Sequence, residues 1–269
     1  MKITKEVTRV IKGVTRIVVI KLVNIYFRIL FKLKYSINKE TLLIYTDSRG
    51  FLVNCYFCNK TPYKSYIDAL SEQYNIEYQL CPYKHTTTLD FLKFIKKRDL
   101  KKYSKILLHI GIVDYSPRPL SQMNLVYKKK KKIANELFHK LEMLPNYYES
   151  IYEGEKTFSL YTLKYLEMIL NELIQISKST PILWLGVNKI DLNWNGNYPK
   201  QRPTNINIIL EYQNYIKNYL KENSINSIDY IDIDEVNNFE LYKHTIDNMH
   251  LTTDGVTFFT KIINERLNK

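Results

Sequence analysis

The chain has 269 residues, 45% of them apolar, which is enough for a sizeable core and too many for a disordered chain. Its formal charge of +13 sits in two patches: residues 1–34 hold nine cations and one acid, a net of +8, and the run Lys128 to Lys132 adds +5, so the remainder is neutral. With no RNA- or DNA-binding motif beside either patch, that distribution argues against a nucleic-acid surface.

Residues 1–39 read as a basic amphipathic helix. Lys5, Arg9, Lys12 and Arg16 recur at helical spacing on one face, and Val7, Val10, Ile11, Val14, Ile17 and Val18 cover the other. The apolar runs "IVVI", "LVNIYF" and "ILF" are each broken by Lys or Arg, and no small-residue cleavage site follows. Neither a signal peptide nor a spanning helix is therefore expected. Two readings remain open: a helix lying on an anionic membrane surface through residues 1–34, or a helix packed against the fold or a partner. Cys55, Cys58 and Cys81 form no even set, and the C-x-x-C has no second pair to complete a zinc site. They read as reduced, buried thiols, which fits a cytoplasmic protein, peripheral at the inner face of the membrane if the first helix lies there.

From residue 40 to residue 269 the chain reads as one catalytic domain. "TLLIYT" (41–46), "NIEYQL" (75–80), "SKILLHI" (104–110), "TPILWLG" (180–186) and "IDYIDI" (228–233) are strand-like runs. Helical patterns alternate with them near 62–74, 88–97, 121–142, 159–178, 205–221 and 254–267. Such alternation predicts an α/β fold, a three-layer α/β/α sandwich around a flavodoxin-like, mostly parallel five-stranded sheet. The lysines at 128–132 read as a solvated helix face, or as a further attraction for a polyanion or membrane.

Functional groups in such folds sit just past the C-terminal strand ends. "LLIYTDSRG" puts Ser48 at the first strand end, where the chain turns toward a helix. A turn-forming Asp-Ser is the bland alternative. Near the other end, "DNMHLTTDG" carries Asp247 and His250 one helical turn apart, so the carboxylate can hold Nδ1–H and leave Nε2 free as a base. The set His244, Asp247 and His250 could be read as metal ligands, but side chains at that spacing on a helix fan apart by about 60° per step. No metal and no cofactor is expected. His109 at the third strand end either lines a pocket or is a satisfied core histidine.

The order Ser…Asp-x-x-His, with the serine after the first strand and the pair before the last helix, resembles the SGNH, or GDSL-like, hydrolase superfamily over roughly residues 40–268. Ser48, Asp247 and His250 match its triad, and "HLTTDG" continues its last block. Thr46 stands where the family has Gly before Asp-Ser. The family's G-x-N-D after the third strand reads "GIVD": Gly111 and Asp114 match, and Val113 replaces the oxyanion-binding Asn. The second block's Gly has no equivalent in "YKHTTTLDF". Replacement donors are sought in the Ser48 amide, in Thr86, Thr87 or in Arg118, which two prolines flank in "GIVDYSPRPLS" and which reads as a cation for the oxyanion or for an anionic substrate group, or as a surface Arg in a rigid turn. The segment 188–205, with Trp194, Tyr198 and several Asn, reads either as an ordinary loop or as a sugar site.

The resemblance implies a serine esterase acting on an O-acyl ester through an acyl-enzyme, with an acylated glycan or small ester as substrate. An O-acyltransferase modifying a surface polysaccharide uses the same intermediate. A catalytically weak glycan- or membrane-binding scaffold is the non-enzymatic alternative.

Overall fold

The computed structural model describes residues 22, 25–50, 65–80, 86–138, 143–198 and 200–268. The cysteines, His85, His139 and the cations Lys5 to Arg16 lie outside the described residues. The first element is helix α1 (25–33), followed by strand β1 (Thr41–Thr46), α2 (Tyr66–Leu70) and β2 (Asn75–Leu80). Then come α3 (Thr88–Ile95), β3 (Lys105–His109), the single turn α4 (Ile112–Tyr115), the short β4 (Arg118–Pro119) and α5 (Met123–Phe138). After them lie β5 (Asn146–Tyr152), β6 (Glu155–Ser159), α6 (Leu163–Ser177), β7 (Ile182–Leu185) and α7 (Ile209–Glu222). The chain closes with β8 (Ile228–Ile231), α8 (Leu241–His244) and α9 (Thr253–Leu267).

Five strands form one sheet in the order β2-β1-β3-β7-β8, every pair parallel. These are the five strands read from the sequence. Alternation sorts their side chains between two cores. Leu43, Tyr45, Ile106, Leu108, Ile182, Trp184 and Ile228 face a layer with residues from α3, α5, α6 and α7. Leu42, Ile44, Leu107, Leu183, Leu185 and Ile231 face the opposite layer, with Phe27 and Phe31 of α1, Tyr66 and Ile67 of α2, and Phe259 and Ile263 of α9. The result is a three-layer α/β/α sandwich. No helix among the described residues is long and apolar enough to cross a membrane.

A second sheet of three strands, in the order β4-β6-β5, was not anticipated. Its hairpin turns at Glu153 and Gly154, both at positive φ (53° and 82°), the backbone of a tight two-residue turn. Glu-Gly is a weak form of that signal, because Glu seldom adopts positive φ. The sheet receives the chain that leaves β3: Arg118 pairs with Phe158, and the Ser159 hydroxyl donates to the Tyr115 carbonyl at 2.6 Å.

The lysine run lies on α5, but it is not all solvated. Lys130 is buried, and its ammonium bonds the Asp90 carboxylate, joining α5 to α3. An ammonium in a helix–helix seam needs such a partner to offset its lost hydration.

Candidate active site

Ser48 is the first residue of a single 3-10 turn, Ser48–Gly50, that begins beyond β1. The turn is tight. A Cβ on Gly50 would stand 2.1 Å from the Thr46 hydroxyl, so glycine at 50 makes room for the threonine that replaces the glycine expected before Asp-Ser. Asp47 and Arg49, on either side of Ser48, are both buried and chelate one another: Arg49 Nε donates to Asp47 Oδ1 at 3.0 Å, and Nη2 to Oδ2 at 3.0 Å. Arg49 Nη1 also donates to the Gly186 carbonyl beyond β7 at 3.0 Å. The Arg49 amide caps onto Asp47 Oδ1 at 3.0 Å. The residue between these two charges is held facing outward, and Ser48 is exposed. Its amide is the first of the turn and has no acceptor within it.

His250 reaches this turn from 202 residues away, with Nε2 3.0 Å from Ser48 Oγ. Its Nδ1 lies 2.8 Å from Asp247 Oδ2. Asp247 Oδ1 accepts from the amides of His250 (2.8 Å) and Met249 (3.1 Å). Burial alone would raise the Asp247 carboxyl, but the His250 ring and these amides outweigh it and hold it below the usual carboxylate range. The three residues therefore form one hydrogen-bonded chain, Ser48–His250–Asp247, with an ionised carboxylate at its buried end.

The turn carrying Asp247 and His250 is closed at its base by the Ile246 amide, which donates to the His250 carbonyl at 2.8 Å. Asn248 sits inside it, fully buried, at φ 69°. Its Oδ1 accepts from the Asp191 amide at 2.8 Å, and its Nδ2 donates to the carbonyls of Asp191 (3.2 Å) and Trp194. Its own carbonyl accepts from Asn188 Nδ2 at 2.9 Å. Arg202 donates to the Asp247 carbonyl and lies 4.2 Å from the Tyr198 ring centroid. The 188–205 loop thus braces the histidine turn. Trp194 belongs to that brace: half-buried, it packs edge-on against Tyr242 at 4.9 Å.

Of the remaining expected residues, Gly111 lies beside Ser48 and the others are committed elsewhere. Thr87 is buried as the cap of α3, with its amide and hydroxyl both donating to Asp90 Oδ2 at 2.8 Å, so neither is available to an oxyanion. Asp114 is fully buried: Oδ1 accepts from the Thr88 amide (2.8 Å) and the Tyr161 hydroxyl (2.5 Å), and burial pushes the carboxyl up to about 6 despite both bonds. It ties α4 to the start of α3 and does not meet substrate. Arg118 is also buried; its guanidinium donates to the Val113 carbonyl, and burial lowers it to about 10. Buried and bonded to the Val113 carbonyl, the guanidinium is not exposed to a substrate anion. Gly111 caps α4 at φ 122°, just past β3. The β1–β3 register pairs Thr46 with His109, so Gly111 and Ser48 each lie two residues beyond that pair on neighbouring strand ends.

His109 is a core histidine: its Nδ1 is 2.9 Å from the Tyr66 hydroxyl, it stacks on Phe259, and burial keeps it well below the ordinary imidazole range. His244 forms no metal-holding group with Asp247 and His250. It is buried in a stack with Phe258 at 4.4 Å, and its Nδ1 accepts from the Glu240 amide at 3.0 Å. No metal-holding group of three or more His, Cys, Asp or Glu occurs among the described residues. Sequence reasoning missed Asp47, Arg49, Asn188, Asn248 and Arg202. The available signal was their placement beside Ser48 and inside or across from the D-x-x-H turn.

No protein-family model matches the chain, and no curated protein matches it either. Solved structures do. A protein from Lactobacillus plantarum aligns over 87% of this chain and 98% of its own, with TM-score 0.50 and 11% identity. A GDSL-like lipase from Bacteroides thetaiotaomicron aligns over 87% and 91%, with TM-score 0.49 and 10% identity. A salicylyl-acyltransferase from a tetracycline biosynthetic pathway aligns over 84% and 53%, with TM-score 0.43 and 14% identity. At such identities the shared property is the fold, carried by the first of the three.

Proposed function

We propose that the chain is a divergent serine enzyme of the SGNH, or GDSL-like, class that cleaves an O-acyl ester through an acyl-enzyme. The observation that carries this reading is the hydrogen-bonded chain from Ser48 through His250 to Asp247. Ser48 Oγ attacks the ester carbonyl as His250 Nε2 takes its proton. Asp247 keeps the ring's Nδ1–H directed inward and stabilises the imidazolium. Collapse of the tetrahedral intermediate expels the alcohol, to which His250 returns the proton. Water, deprotonated by His250, then releases the acid.

The oxyanion is held by backbone. Val113 offers no side-chain donor, Thr87 is committed to Asp90, and Arg118 is turned onto the Val113 carbonyl. The Ser48 amide at the start of its turn is one donor, and the Gly111 amide at the adjoining strand end is the second. A side-chain donor in this role is typically worth ~10²–10³ in rate, so turnover is expected to be slow beside an enzyme with the full set.

Transfer to a sugar hydroxyl in place of water is favoured by one observation. Trp194, in the loop that braces the histidine turn, packs against the exposed Tyr242 ring, and aromatic faces suit the C–H surfaces of a sugar. Both readings share the acyl-enzyme, so one experiment tests them together. A fluorophosphonate should label the wild type at Ser48 by peptide mass mapping, and p-nitrophenyl acetate should give a burst. Ser48→Ala should lose both with its melting unchanged. An unlabelled wild type would overturn the assignment. Acyl transfer to added sugar acceptors would then separate transferase from esterase.

A further inference from the structure

Helix α1 buries one apolar face and leaves a second exposed among the described residues. Phe27 and Phe31 are buried against the sheet, packing on Tyr78 of β2 at ring distances of 6.4 and 5.5 Å. Ile25, Ile29 and Leu33 are all more than half exposed. At about 100° per residue these three fall within one stripe of the helix, and the exposed cations Arg28 and Lys32 flank it on one side. An exposed apolar stripe of this size edged by cations marks an interaction surface.

The direction of the helix places that stripe relative to the site. Arg28 bonds Gln79 Oε1 at 3.2 Å, while Ser36 and Asn75 exchange bonds at 2.9 and 2.7 Å. β2 runs from Asn75 to Leu80, in register with β1 from Thr41 to Thr46. Hence α1 begins near the strand ends that carry Ser48 and runs away from them. β2 is the outer strand and β1 its neighbour, so Ser48 follows the strand next to the one whose Tyr78 carries α1.

We propose that the outer stripe of α1 lies on an anionic lipid surface, and that the ester presented to Ser48 is carried by an amphiphile of that surface. Charge complementarity selects this occupant: apolar side chains enter the headgroup boundary, and cations beside them pair with anionic headgroups. The lipid-binding half stands on the surface alone. The substrate half rests on the enzymatic reading above.

The test uses the full chain and vesicles of phosphatidylcholine alone or mixed equally with phosphatidylglycerol. Wild-type protein should co-sediment with mixed vesicles at least about tenfold better than with neutral ones, and high salt should weaken this. The double variant Ile25→Asp/Ile29→Asp should lose at least about tenfold in binding, because both side chains enter the apolar boundary. Lys32→Glu, which leaves the stripe intact, should show a smaller loss. In Ile25→Asp/Ile29→Asp, turnover of p-nitrophenyl acetate should stay unchanged, while turnover of a long-chain ester embedded in mixed vesicles should fall with binding. Equal co-sedimentation of wild type and the double variant would overturn the proposal. So would a change from dimer to monomer in the double variant with vesicle binding intact, since the stripe would then be a contact between copies. If wild type turned over neither ester, the enzymatic reading would fail, and co-sedimentation would still decide the lipid surface.

Discussion

Asn248→Ala removes the group on which the histidine turn rests. The side chain fills a fully buried site and makes three hydrogen bonds to the 188–205 loop: one from the Asp191 amide, and two to the carbonyls of Asp191 and Trp194. Orphaning a buried donor or acceptor costs about 1–3 kcal/mol. The residue also sits at φ 69°, which Asn tolerates and Ala resists by about 1 kcal/mol. The sum is about 2–4 kcal/mol, or a fall in melting temperature on the order of 5–10 °C for a domain of this size. The turn holds Asp247 and His250 on either side of Asn248, so release of the brace moves His250 away from Ser48. A displacement near 1 Å costs about 10²-fold in rate. Asn248→Gly separates the two causes, because it accepts positive φ and still lacks the three bonds. Ester kinetics should show kcat falling with KM little changed in both variants, with Gly the more stable of the two. Wild-type kcat and melting in Asn248→Ala would refute the bracing argument.

Three further outcomes follow from buried charges. Arg49→Ala leaves Asp47 buried without its cation, a loss of about 3–5 kcal/mol; Arg49→Lys keeps the charge but not the fork to Asp47 and Gly186, and should fall between in melting and in labelling rate at Ser48. Asp114 has a folded-state carboxyl raised to about 6, so between its unfolded value and 6 the folded state binds more protons and stability falls as pH rises; Asp114→Asn should flatten denaturant-melt stability across that window. Arg118→Ala should lower the melting temperature through loss of its bond to the Val113 carbonyl, with KM unchanged for neutral and anionic esters; a selective rise in KM for the anionic ester would restore a substrate role.

The strands 41–46 and 75–80 were legible residue for residue, because runs of apolar residues at a sheet period report their own backbone. The helices at 88–95 and 253–267 were legible from their helical patterns, within two residues at either end. Ser48, Asp247 and His250 were recognisable by residue type, spacing and place in that strand order. Partner choice among buried polar groups was not legible, since it depends on what the fold brings close and strips of water. Thr87 and Arg118 look like free donors in the sequence, yet burial commits one to Asp90 and the other to Val113. Lys130 looks like one of five solvated lysines, yet helix packing sends it to Asp90. Arg49 and Asn248 look like turn residues, yet their bonds run 137 and 57 residues along the chain, to Gly186 and Asp191. Local periodicity set the elements and the chemistry at their ends. Only tertiary desolvation decided which polar groups hold the nucleophile and its base in place, because a donor in a dehydrated interior must bond whatever acceptor the packing supplies.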